Sequence, residues 1–193
     1  MQTLLCRELG IDYPIFSVGF DVSAGPELVS AVSNAGGCGV LGGSGLPPDE
    51  IRRRIDRVRE LTDRPFGVND IIADFEYPDS SAEDRAFVRD QIAAAVEARV
   101  PLIVLFWGDP APFVETAHQN GVKVFVQVGS IPEAEAAASA GVDAIIAQGV
   151  EAGGHVRGTT SIWQLLPAVI EAVRPVPVLA SGGSATGWVS PGR

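Results

Sequence analysis

A regular alternation of short apolar runs and longer amphipathic stretches constrains this chain most. Apolar runs recur at 14–18, 38–41, 66–68, 102–106, 123–126, 144–147 and 178–180. Helical patterns fill the gaps at 26–34, 48–61, 82–98, 112–119, 132–140 and 162–173. The apolar runs carry no polar alternation, so each strand needs cover on both faces. That is the signature of a parallel sheet sheathed by its own crossover helices. Pro26, Pro48, Pro112 and Pro132 stand near helix starts, where a missing N–H costs little. Gly36, Gly121 and Gly141 stand just past helix ends, where a left-handed residue is wanted.

An open doubly wound sheet and a closed (β/α)8 barrel both satisfy that alternation. An open sheet gathers its ligand groups at one switch point. Here they follow many strands: Asn69, Trp107, Gln127, Gln148, His155 and Ser181-Gly182-Gly183. The first strand is not followed by a Gly-x-Gly-x-x-Gly turn either. The pattern therefore predicts an α/β fold of the (β/α)8 TIM-barrel type, as one domain over 1–193. Seven strands and six helices fall short of eight of each, and barrels typically need about 250 residues. The stretch 184–193 has neither helical periodicity nor an eighth apolar strand, so the barrel is expected to be incomplete at its carboxyl end.

Composition excludes several function classes. A formal charge of −10 argues against a nucleic-acid partner, which requires a basic face. The arginines from Arg52 to Arg59 alternate with Ile51, Ile55 and Val58 at helical spacing, so they read as the solvated side of a helix. Cys6 and Cys38 are too few for a disulfide framework and lie in no metal-ligand spacing, and Cys38 reads as a small core residue. No run approaches the ~18 apolar residues of a membrane span. Arg7, Glu8 and Asp12 interrupt any leader-like segment, so a cytoplasmic location is expected.

Chemistry concentrates in the segment 143–155. A buried strand ends there in a polar glycine-rich loop that carries His155, one of two histidines. The carboxyl end of a parallel strand is where ligands sit in such folds. Glycines there admit close backbone approach, and an imidazole can move a proton near neutral pH. The amides of Asn69, Gln127 and Gln148 present donor and acceptor together, as the edge of a planar heterocycle requires. Backbone N–H groups in glycine loops such as Gly153-Gly154 and Gly182-Gly183 suit phosphate oxygens. A phosphorylated planar cofactor such as a flavin satisfies both. His118, close to a helix end, is expected only to complement the helix dipole.

Five segments in order carry a resemblance: Tyr13-Pro14-Ile15-Phe16, the stretch 26–37, Pro65-Phe66-Gly67-Val68-Asn69, the stretch 148–155, and 177–183. Together they resemble the nitronate monooxygenase (2-nitropropane dioxygenase) family of FMN-dependent TIM barrels. The Gly-x-Glu-x-x-Gly-His element is the more specific part; the Ala-Gly-Gly and Ala-Ser-Gly-Gly pieces are shared with other flavin and phosphate-binding barrels. The resemblance implies FMN held by Gly19, Asn69, Gln127, Gln148, Gly153, Gly154, Ser181, Gly182 and Gly183, with His155 as catalytic base. It implies oxidation of alkyl nitronates or nitroalkanes by O2 to a carbonyl compound and nitrite. Two departures stand out. Val18-Gly19-Phe20 replaces the family's Pro-Met after the first strand, and the family's phosphate-gripping segment on the eighth strand is absent. The rival readings are an FMN- and NAD(P)H-dependent enoyl-acyl-carrier-protein reductase and an inactive shortened barrel. Unpaired first and last strands would favour self-association into a homo-oligomer.

Overall fold

The computed structural model describes residues 2–20, 23–75 and 77–183. Among the described residues, six parallel strands form one sheet: β1 Gly39–Gly42, β2 Phe66–Ile71, β3 Leu102–Phe106, β4 Lys123–Val128, β5 Ala144–Gln148 and β6 Val178–Ser181. Each strand pairs only with its neighbours in sequence, in the order β1 to β6. An unbroken sequential order is that of a barrel wall, and the chain folds as an incomplete (β/α)8 barrel. The stretch 184–193, where the sequence suggests a shortened end, lies outside the described residues.

The strand expected at 14–18 is reduced to one parallel bridge, Phe16 to Cys38. Its ladder cannot lengthen because Pro14 has no N–H and a side chain takes the next place. The Ser17 hydroxyl, rather than a carbonyl, accepts the Val40 N–H at 2.8 Å. The segment still lies along β1, since Cys38 donates to the Ile15 carbonyl and Ser17 to the Cys38 carbonyl.

Helices α2 Pro26–Asn34, α3 Pro48–Leu61, α4 Ala82–Glu97, α5 Ala111–Gln119, α6 Ile131–Ser139 and α7 Ile162–Ala172 match the expected helical patterns. Local chemistry fixes their starts. Ser81 and Asp84 form a reciprocal capping box on α4, and Ser130 caps α6. Gly36, Gly121 and Gly141 all take the left-handed conformation expected just past helix ends. A short helix, α1 Leu4–Leu9, escapes sequence periodicity because it spans under two turns. Its Thr3 cap and the left-handed Gly10 at its end are the only local signals.

Strand parity divides the core in two. Leu41, Val68, Ile103, Leu105, Val124, Val126, Ile145 and Ala147 face the helices, against Ile51, Ile55, Val58, Ile92 and Leu165. Cys38, Val40, Leu102, Val104, Phe125 and Ala144 face inward, where Leu5, Cys6 and Ile11 plug the amino end of the wall. Burying each large side chain stabilises the fold by roughly 1.5–3 kcal/mol.

A polar cluster locks that same end. Asp143, just before β5, accepts from the Val124 N–H and His118 Nε2, each at 2.8 Å, and from Lys123 at 3.2 Å. Lys123 also pairs with Glu8, next to the plug. Burial pushes the Asp143 carboxyl up, but those three donors together hold it below its ordinary range.

Candidate active site

The opposite, carboxyl end of the wall gathers the polar residues. Inward parity runs from Phe125 to Gln127 on β4, from Ala144 to Gln148 on β5, and from Leu179 to Ser181 on β6. Register sets them in tiers. Asn69 lies beside Val104, Phe106 beside Gln127, Gln127 beside Ile146, and Gln148 beside Ser181. Carboxamides and a hydroxyl thus stand among apolar inward residues as the strands reach the rim, with Ile71 and Phe106 ending β2 and β3.

Asn69 is half-buried and donates through Nδ2 to the Val104 carbonyl at 3.0 Å, which fixes the rotamer of its carboxamide. Gly19 is packed against it. A Cβ at Gly19 would lie 2.5 Å from the Asn69 Cβ and 3.0 Å from the Leu41 carbonyl oxygen, so only glycine fits. Gln127 is half-buried, and its carboxamide meets no hydrogen-bonding partner among the described residues.

Gln148 is buried, and both ends of its carboxamide are engaged by the loop that follows. Its Nε2 donates to the His155 carbonyl at 2.9 Å, and its Oε1 accepts the Arg157 N–H at 3.3 Å. The His155 imidazole is exposed, while its backbone is tethered to the inner face of β5. Glu151, in the same loop, bonds the Ser161 hydroxyl and accepts the Ile162 N–H at 3.0 Å, capping α7. Those bonds, the Ser161 hydroxyl first, hold the Glu151 carboxyl below its ordinary range.

The glycine positions differ in what they do. Gly182 takes φ +91°, and a Cβ there would fall 2.7 Å from the Ala152 nitrogen, so the loops after β5 and β6 touch. Gly183 and Gly154 are also left-handed. Gly153 and Gly154 are exposed, with open space around them. Thus Gly19, Asn69, Gln127, Gln148, His155, Ser181 and Gly182 all belong to one end of the wall.

Three further features of this rim carry no sequence motif. Arg157 donates through Nε to Glu133, and its guanidinium lies 5.4 Å from the centre of the Trp107 ring. Gly129 and Gly158 are pressed together: a Cβ on Gly158 would sit 2.2 Å from the Gly129 carbonyl oxygen. Behind the rim, on the helix-facing side of β2, Asp70 is fully buried and both of its carboxyl oxygens lack a hydrogen-bond partner among the described residues. Burial alone pushes it up to about 8. A lone acidic residue inside an apolar strand was the available signal for Asp70.

Sequential parallel strands, helical cover and a polar carboxyl rim define a (β/α)-barrel of the kind that hosts enzymes. Residues 2–187 match the nitronate monooxygenase family, and the chain belongs to that family. It is 35% identical over 183 residues to a hydroxy-methyl-oxo-octahydro-indene-carboxyl-CoA dehydrogenase of Rhodococcus jostii, covering 95% of this chain and 48% of that one. Among solved structures, a FabK variant from Thermotoga maritima superposes with TM-score 0.87 at 35% identity, covering 97% of this chain and 59% of that one. A nitroalkane oxidase from Streptomyces ansochromogenes superposes with TM-score 0.80 at 30% identity, covering 92% and 60%. The chain spans about half the length of the first curated relatives it matches. Among the described residues, no helix is long and apolar enough to cross a membrane.

Proposed function

We propose that this chain carries the flavin-binding and proton-abstracting part of an FMN-dependent oxidoreductase that oxidises alkyl nitronates or nitroalkanes with O2. The products are a carbonyl compound and nitrite. Family membership supports the reading, and the observation that carries it is the tether from Gln148 to His155. That bond holds the loop's imidazole-bearing residue at the mouth of a wall whose inward positions toward the carboxyl end include the carboxamides of Asn69, Gln127 and Gln148.

The residues present suit FMN. Gly19 lets the chain pack directly against Asn69, where a Cβ would come within 2.5 Å of the Asn69 Cβ, and so sets that carboxamide at the rim. Gln127 offers a donor and an acceptor not engaged by described neighbours. Ser181 and the left-handed Gly182 and Gly183 end β6 with a hydroxyl and backbone N–H groups suited to phosphate oxygens. Gly153 and Gly154 would extend that backbone surface. When bound, FMN supplies the redox chemistry between the substrate and O2.

The chain's own part is orientation and the proton. An imidazole nitrogen of His155 accepts the proton from the carbon next to the nitro group, which leaves the nitronate. Asn69 and Gln127 would orient the planar ring, while Gln148 holds the loop in register. A nitronate supplied already ionised bypasses the base. With FMN-loaded full chain, His155→Ala should therefore cut turnover of neutral nitroalkane far more than turnover of preformed nitronate. Equal losses on the two substrates would remove His155 from the proton step.

A second reading has specific support, since the FabK variant superposes with TM-score 0.87 at 35% identity, against 0.80 at 30% for the nitroalkane oxidase. In that reading the same rim serves an FMN- and NAD(P)H-dependent enoyl-acyl-carrier-protein reductase. Oxidation of the reduced nicotinamide with an enoyl thioester, in the absence of nitroalkane turnover, would select it. The chain is expected to act in the cytoplasm on small molecules, and self-association through its sheet edges would show in its solution mass.

A further inference from the structure

We propose that Arg157, seated on Trp107, is the positioning residue of this rim: it ties three successive loops together and so holds His155 at the mouth. The role given to His155 rests on the function proposed above; the tie itself does not.

Trp107, directly after β3, has φ +66°, a conformation a bulky aromatic residue rarely adopts. Such a conformation persists where the surroundings over-determine it, and it is often found at functional sites. Here the constraints are visible. The Trp107 ring meets Phe106 edge-on at 5.4 Å. The next residue, Gly108, is pressed against Ile72, where a Cβ would come within 2.8 Å of the carbonyl oxygen. The indole is thereby turned to face the Arg157 guanidinium, 5.4 Å from the ring centre.

Arg157 reaches the next loop through Glu133, at the start of α6. That carboxylate also accepts the Gly129 N–H at 2.8 Å, just after β4. The Arg157 and Glu133 side chains are only 20% and 30% exposed, so this pair is screened less than an ordinary surface pair. The third connection is to the loop of His155. The Arg157 N–H bonds Gln148 Oε1, and Gln148 Nε2 bonds the His155 carbonyl. Through its side chain and its backbone N–H, one residue thus braces the loops after β3, β4 and β5. The fit of Gly129 against Gly158 closes the same junction from behind.

The test uses the full chain with Trp107→Ala and Trp107→Phe. Amide hydrogen exchange is read at Arg157 and Gly129, and the ring resonances of the two histidines are followed. Loss of the stacking surface should speed exchange at both amides by about tenfold, the scale of a partly buried cation–π contact. The His155 ring signals should move while those of His118 stay, and Trp107→Phe should restore most of the wild-type behaviour. Unchanged exchange and unmoved His155 signals in Trp107→Ala would overturn the proposal. Should Trp107→Ala fail to fold, Arg157→Lys, which keeps the charge but loses the planar fork, faces the same criteria. If the rim loosens as described while His155→Ala slows both substrates equally, the proton-abstraction reading falls and the positioning role stands.

Discussion

The two histidines of this chain sit at opposite ends of the same sheet, in opposite surroundings. His118, at the end of α5, is bonded to Asp143 within a cluster that also engages Lys123, Glu8 and the Val124 N–H. His155 has an exposed ring and is held through its backbone by Gln148. At the amino end, side chains satisfy one another and the plug of Leu5, Cys6 and Ile11 fills the interior. At the carboxyl end, Gln127 meets no hydrogen-bonding partner among the described residues and Trp107 is strained. The same residue type is therefore bonded into a polar cluster at one end and exposed at the other, the end where barrels carry their chemistry.

The largest expected effect lies at the carboxyl end. His155→Ala should lower neutral nitroalkane turnover by roughly 10²–10⁴-fold, the usual contribution of a general base. Its thermal stability should move by no more than about 0.5 kcal/mol, as for other exposed positions. Steady-state assays beside a melting curve check both, and a large loss of stability would erase the contrast between the ends.

Asp143→Ala should show the reverse. Stripping a mostly buried carboxylate from three donors should cost about 2–3 kcal/mol in denaturant unfolding, with no change in flavin affinity. The wild-type cluster also predicts a pH dependence. The folded carboxyl is held below its ordinary range, so its stabilisation is present above the unfolded value near about 4. It is lost as pH falls through the lower, folded value. If Asp143→Ala retains that acid-limb loss, the cluster is not its source.

Asp70 lies behind the rim on the helix-facing side of β2, and its effect should be smaller and opposite in sign. Its carboxyl, pushed up to about 8 by burial, keeps its proton in the folded chain at pH values where the unfolded chain has released it. Its contribution is greatest below about pH 4 and declines until the pH passes the folded value near 8. Replacing this unpartnered group by the apolar Asp70→Val should raise stability by about 1–3 kcal/mol near pH 8. Unfolding curves at pH 5 and 8 check this; a gain no larger at pH 8 than at pH 5 would contradict it. The smallest effect belongs to His118→Ala, expected to cost at most about 1 kcal/mol, since its ring is partly exposed.

The sequence made the frame legible because parallel strands and amphipathic helices are encoded by local period, and Pro26, Pro48 and Gly141 mark their limits. It also exposed Asn69, Gln127, Gln148 and His155, since polar residues just past apolar strands are conspicuous. It could not show α1, which is too short for periodicity, or the collapse of 14–18 to one bridge, which turns on a Ser17 hydroxyl. The Arg157–Trp107–Glu133 brace was equally hidden. Its members lie 24 and 26 positions apart on different loops, and only the closed wall brings them together. Gln148 shows a subtler limit: the sequence suggests a cofactor ligand, whereas its carboxamide is turned to the loop that follows.

The central claim is that the carboxyl rim holds FMN. Titrating the folded full chain into FMN, with flavin fluorescence as the signal, tests it directly. Saturable one-to-one quenching that Gly19→Val abolishes and His118→Ala leaves intact is the expected result. A folded chain that leaves the flavin signal unchanged, or one that binds equally well with Gly19→Val, would contradict the account.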